Sequence, residues 1–183
     1  MQIENQFELP LPPALAWPLL MNVPDTAACF PGASQIEQTG AGQFRGRVTV
    51  KLGPMTLLFA GNLHIAERDD AVHNGTVKAN WTETKGRGNA NTVTHFALQP
   101  HGEGTLVTMT SDLQLAGQVA QYGRGVGMIS AISAQLISIF AGNICARLHT
   151  SGGGETSPPQ TQGTTEISGL TLIAKALGNR ITR

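Results

Sequence analysis

A chain of 183 residues suits one domain of about 150 residues plus an appendage, and a domain of that size can bury a substantial core. With 12 Lys and Arg against 12 Asp and Glu the net charge is zero, which leaves no basic field for nucleic acid over the body of the protein. Cys29 and Cys145 stand apart, with no Cys-x-x-Cys spacing and no neighbouring His, so they form no metal motif.

No positively charged segment followed by a short apolar run opens the chain. Nor does any run of about 18 consecutive apolar residues occur, so the sequence reads as intracellular and not membrane-spanning. Gln2 to Leu9 alternates, with Ile3, Phe7 and Leu9 facing one way, as a half-buried strand does. Pro10, Pro12 and Pro13 end it, and a short helix is predicted over Pro13 to Met21 with Ala14, Trp17, Leu20 and Met21 on one side. A second turn or helix around Asp25 to Phe30 stops at Pro31-Gly32.

The period then changes to two. Phe44, Gly46, Val48, Val50 and Leu52 alternate against Arg45, Arg47, Thr49 and Lys51, and Gly53-Pro54 is a turn signal. Met55, Leu57, Phe59, Gly61, Leu63 and Ile65 define the next strand. Three more segments follow, Val72 to Thr84, Gly88 to Gln99 and Thr105 to Leu115, the last two joined at Gly102-Glu103-Gly104. After Gly117 a helical period holds to His149, with Val119, Val126, Ile129, Ile132, Leu136, Ile139, Phe140 and Ile144 as its buried side. These elements predict an α+β helix-grip architecture over residues 1–149, a curved antiparallel sheet wrapped around one long helix with an apolar cavity between them.

Residues 150–167 are built from Gly, Ser, Thr, Gln and Pro with almost no large apolar side chain, the composition of a flexible linker. In residues 168–183, Leu170, Ile173, Leu177 and Ile181 fall on one side of a helical wheel, and Lys175, Arg180 and Arg183 add only positive charge. That is the pattern of a helix docking on an anionic membrane, with docking on a partner protein or no docking at all as the alternatives.

Several strings carry a resemblance: Phe7-Glu-Leu-Pro10, Cys29-Phe-Pro-Gly32, Val48-Thr-Val-Lys-Leu-Gly-Pro54, Phe59-x-Gly61, and Gly117-Gln-Val-Ala-Gln-Tyr-Gly123. With the element order, they make residues 1–148 similar to the CoxG branch, named for carbon monoxide dehydrogenase, of the START-like (SRPBCC) helix-grip superfamily. The resemblance implies a non-enzymatic accessory protein of a molybdenum hydroxylase of the carbon monoxide dehydrogenase type. It further implies a hydrophobic ligand under the long helix, and recruitment of the enzyme to the inner face of the cytoplasmic membrane. A quinone or other prenyl lipid is the chemically economical ligand, because carbon monoxide oxidation must pass its electrons into the membrane pool; no covalent cofactor is expected. A recruitment module without a ligand, and a cyclase- or hydratase-type enzyme, are the alternatives. The stretch Gly123-Arg-Gly-Val-Gly127 is richer in Gly than that family's pattern.

The predicted ligand wall consists of Phe30, Val48, Val50, Phe59, Leu63, Trp81, His95, Met128, Ile132 and Leu136. His95, two residues after Val93 on its strand, is the candidate to reach the ligand with a polar group, a hydrogen-bonded structural histidine being the alternative. Gly123-x-Gly-x-Gly127 lacks both the last Gly of a nucleotide-binding loop and its βαβ frame, so it reads as close packing or a flexible helix end. Both cysteines read as apolar fillers, and no catalytic constellation stands out.

Overall fold

The computed structural model describes residues 1–52, 55–124 and 126–151. In chain order these form β1 (Gln2–Leu9), α1 (Pro13–Met21), α2 (Val23–Cys29), β2 (Ala33–Gly40), β3 (Gln43–Leu52), β4 (Met55–Asp69), β5 (Asn74–Glu83), β6 (Gly88–His101) and β7 (Gly104–Gly117). A 3₁₀ helix (Gln118–Arg124) and α3 (Val126–Ser151) follow. The strands make one seven-stranded antiparallel sheet in the order β1-β7-β6-β5-β4-β3-β2.

Local chemistry sets the element ends. Pro13 opens α1 at a position that needs no N–H, and the carbonyl of Pro12 accepts from Leu15 and Ala16 at 2.9 and 3.0 Å. The side of α1 that is buried carries Ala16 and Trp17, whereas Ala14 is exposed. The Cys29-Phe-Pro-Gly32 string is a reverse turn: Ala33 N donates to Phe30 O at 3.1 Å, Pro31 takes the second position and Gly32 the third with φ +81°. A Cβ on Gly32 would overlap the carbonyl oxygen of Thr49, so no other residue fits there. Thr49 N donates to Gly32 O at 2.9 Å and ties the turn to β3.

β2 has no counterpart in the sequence reading. Its burial follows no alternation, Ile36 is its single large apolar residue, its pairing with β3 slips at two places, and Gln35 sits at φ 52°. A strand at a sheet edge, broken by bulges, has little reason to alternate.

Two apolar clusters hold sheet and helices together. The first joins Phe7, Leu9, Leu98 and Val107 of the sheet to Ala16, Trp17 and Cys29, and to Ile137, Phe140 and Ile144 of α3. Phe7 and Phe140 meet edge to face at 5.7 Å. The second, at the other end of the strands, packs Leu57, Phe59, Ala90 and Val119, with Val50, Trp81, Leu113 and Leu115 around them. Side chains of this size contribute about 1.5–3 kcal/mol each when fully buried.

The single long helix predicted from Gly117 is two elements. The 3₁₀ helix carries Val119 into the second cluster through a bond from Val119 N to Arg87 O at 3.0 Å, and α3 begins at Val126. Glycines at this junction each cost a continuous helix about 1 kcal/mol. Ile139, expected on the buried side of α3, is 40% exposed; it follows Ile137 by two positions, a rotation of about 200° away from the Ile137, Phe140 and Ile144 stripe. By length and composition alone, Gly127–Thr150 could cross a bilayer (hydropathy 1.6), but it is the helix whose stripe closes the first cluster.

Candidate functional site

Residues directly opposite on paired strands share a face of the sheet. Phe7 touches Phe140, so its face is the one that looks at α3. The register extends that face strand by strand. Asn5, Met109, Phe96 and Gly75 form one cross-strand row, followed by Ile3, Ser111, Thr94, Val77 and Ile65, and then by Leu113, Thr92, Ala79, Leu63 and Phe44. A fourth row, Leu115, Ala90, Trp81, Gly61 and Gly46, leads into the second cluster. There a Cβ on Gly61 would collide with the indole of Trp81 and the carbonyl of Asn80, which explains the glycine of Phe59-x-Gly61.

Most of the predicted wall lies on this face. Val48, Val50, Phe59, Leu63 and Trp81 share it, and Ile132 and Leu136 are half-buried on α3. Phe30 belongs instead to the first cluster, its ring 5.8 Å from that of Phe140. Met128 does not join the wall. It is 46% exposed, and it precedes Ser133, which bonds Asn5, by five positions, a rotation of about 140° away from the sheet.

His95 is on the opposite face. It pairs with Thr76 and Thr110, whereas its neighbours Thr94 and Phe96 point toward α3. Thr76 donates to Glu67 Oε2 at 2.7 Å, so its remaining contact, His95 Nδ1 at 2.9 Å, requires the imidazole to donate to Thr76 Oγ1. His95 is therefore a structural histidine of the convex face. The membrane-docking residues predicted in the tail, Leu170, Ile173, Lys175, Leu177, Arg180, Ile181 and Arg183, lie outside the described residues.

Between the two clusters the helix-facing side is an open trough. Val48, Leu63, Ile65, Val77 and Leu113 point into it and are half-buried rather than packed. A separate cleft of about 160 Å³ lies between α1, α2 and α3, lined by Leu19, Thr26, Cys29, Ile144 and Leu148 among others. A depression of about 290 Å³ lies at Thr39, Gln43, Phe44, Asn62, Leu63 and His64.

The polar groups of the trough were not singled out in the sequence. Thr94 Oγ1 and Ser111 Oγ are 2.9 Å apart, and Asn5 Nδ2 donates to Ser133 Oγ on α3 at 2.8 Å. Thr92 lies beside them in the next row. Charge is confined to the ends. At one end Trp17 Nε1 donates to Asp70 at 2.6 Å, and Arg68, which lies over the Trp17 ring 6.0 Å from its centre, bonds the same carboxylate at 2.6 Å. The Trp17 hydrogen bond, followed by that of Arg68, holds the Asp70 carboxyl below its ordinary value. At the other end Glu83 accepts from the Arg87 guanidinium at 2.8 Å and from the backbone N–H of Lys85 and Arg87. The Arg87 hydrogen bond is the main cause that lowers Glu83 to about 2, against its burial. From Gly127 to Ala146, α3 carries no Asp, Glu, Lys, Arg or His. Among the described residues no cluster of three or more His, Cys, Asp or Glu is placed to hold a metal ion.

Comparison with known proteins agrees with this architecture. The model of the carbon monoxide dehydrogenase family CoxG matches residues 6–148. No curated protein matches the chain. A conserved protein from Geobacillus kaustophilus superimposes with a TM-score of 0.72 at 20% identity, covering 82% of this chain and 97% of that one. A START superfamily protein from Mycobacterium smegmatis gives 0.58 at 11% identity (82% and 98% covered). The ZhuI aromatase/cyclase from Streptomyces sp. R1128 gives 0.56 at 18% identity (84% and 99% covered). At these identities the structures show a shared helix-grip fold.

Proposed function

Since the chain belongs to the carbon monoxide dehydrogenase CoxG family, we propose that it is a non-enzymatic accessory protein of a molybdenum carbon monoxide dehydrogenase-type enzyme. In this reading it takes a lipid-like molecule, a quinone or another prenyl lipid, into the trough, and links the enzyme to the inner face of the cytoplasmic membrane.

The observation that carries the reading is the trough itself. A folded domain ordinarily closes its core, yet here apolar side chains of four strands stand half-exposed between two packed clusters, under a helix with no charge over Gly127 to Ala146. Such a surface gains about 25 cal/mol for each Å² of apolar area that a ligand covers. The enzyme alternative needs an acid or base in the middle of the site. His95 is on the other face, and Glu83 is held ionised by Arg87 at one end.

Membrane linkage rests on residues 168–183, whose apolar stripe and three cations suit a shallow, reversible interfacial helix. The linker before them, about 18 residues, has an r.m.s. reach of about 23 Å if flexible, enough for a domain to visit the bilayer and an enzyme in turn. Solvent extraction of the natively purified protein followed by mass spectrometry tests the ligand. A stoichiometric prenyl lipid is the expected result; no lipid, together with no saturable quinone binding, would refute the reading.

A further inference from the structure

Resting on the reading of the trough as a lipid site, we infer that the Thr94 and Ser111 hydroxyls are its polar anchor, and that the ligand is an uncharged lipid whose head carries a carbonyl oxygen.

The two residues are directly opposite on β6 and β7, with oxygens 2.9 Å apart. Two hydroxyls joined by one hydrogen bond have used one of their two protons, and the other O–H is left to donate. The row in which they stand is otherwise apolar: Ile3 on one side, Val77 and Ile65 on the other. Strand β6 is also inverted relative to a typical half-buried strand. It turns Thr92 and Thr94 toward the helix and Val93 toward the convex face. A sheet that only needed a core would carry the valine inside.

Charge then selects the head group. The strands place two charged groups on the helix-facing side, Arg68 and Glu83, and each is held by an opposite partner at an end of the trough. A fatty acid or phospholipid head would leave water at Thr94 and Ser111 without meeting a counter-charge, a strongly unfavourable exchange. A carbonyl loses little hydration and recovers it from one hydroxyl. The chemistry of the lining therefore fits a long neutral lipid with an accepting oxygen.

The test uses the full chain and three probes in a fluorescence or calorimetric binding assay: a prenylated benzoquinone, the matching prenyl hydrocarbon without oxygen, and palmitate. The protein and its double variant Thr94→Val/Ser111→Ala are compared. Removing both partners of the hydroxyl pair with side chains of similar shape leaves no orphaned donor, so the variant keeps its fold, checked by its thermal midpoint. The expected result is tight quinone binding, weak palmitate binding, and a loss of about three- to tenfold in quinone affinity in the variant with the hydrocarbon unchanged. Equal quinone affinity in the two proteins, or palmitate bound as tightly as quinone, overturns the anchor while leaving an apolar carrier standing. Failure of all three probes to bind overturns the proposed function and the anchor together.

Discussion

The Glu83 carboxylate and the Arg87 guanidinium meet at 2.8 Å in the turn between β5 and β6, where Glu83 is 1% exposed and also caps the backbone N–H groups of Lys85 and Arg87. Arg87 passes this geometry on. Its carbonyl accepts from Val119, and its guanidinium bonds the Thr56 carbonyl, so one ion pair pins β4, the β5–β6 turn and the 3₁₀ helix.

Acid should therefore loosen this end of the molecule first. The Glu83 carboxyl titrates near 2 when folded and near its ordinary 4.5 when unfolded, so its contribution is complete above about pH 4.5 and is lost as the pH falls through 2. Urea midpoints measured across that window should fall steeply for the native chain. Glu83→Gln should be less stable at neutral pH and show a shallower fall; equal slopes would contradict the assignment.

Gly32→Ala should destabilise the domain by about 1–3 kcal/mol, because it demands a positive φ from alanine and drives a Cβ into the Thr49 carbonyl. Gly86→Ala is the control: φ there is also positive, but nothing lies within 4 Å of the added carbon. Chemical denaturation should show the larger loss at Gly32.

His95→Ala should leave ligand affinity unchanged, since the imidazole lies on the convex face. The expected cost is stability alone, about 0.5–1.5 kcal/mol for the lost bond to Thr76 Oγ1. A drop in affinity without a drop in stability would return His95 to the site.

A chain ending at residue 151 should keep ligand binding and lose co-sedimentation with anionic vesicles. The full chain should release from those vesicles as salt rises, because Lys175, Arg180 and Arg183 supply the attraction. Undiminished vesicle binding by the shortened chain would place the membrane contact elsewhere.

Much of the fold was legible because neighbouring residues decide it. Pro13 and Met21 bound α1 as read from the prolines, and the β3 and β4 alternations survive into the paired register. β2 was missed because an edge strand with one large apolar residue carries no period. In the site, the errors were errors of face. His95 does share a face with Val93, as its spacing requires, but that face is the convex one; Val93 pairs with Lys78 and Asp112 there. The rule that valine marks the inside pointed the wrong way, and the same inversion hid Thr94 and Ser111 in the trough.

By itself the sequence determined the elements, their order and the family, since period, turn chemistry and local motifs are properties of adjacent residues. Which face of each strand meets α3 was decided only in the tertiary structure. One register shift exchanges the two faces of a strand, and the register is fixed by partners tens of residues away, such as Phe7 against Phe140. That choice is what turned two hydroxyls inward and one histidine out.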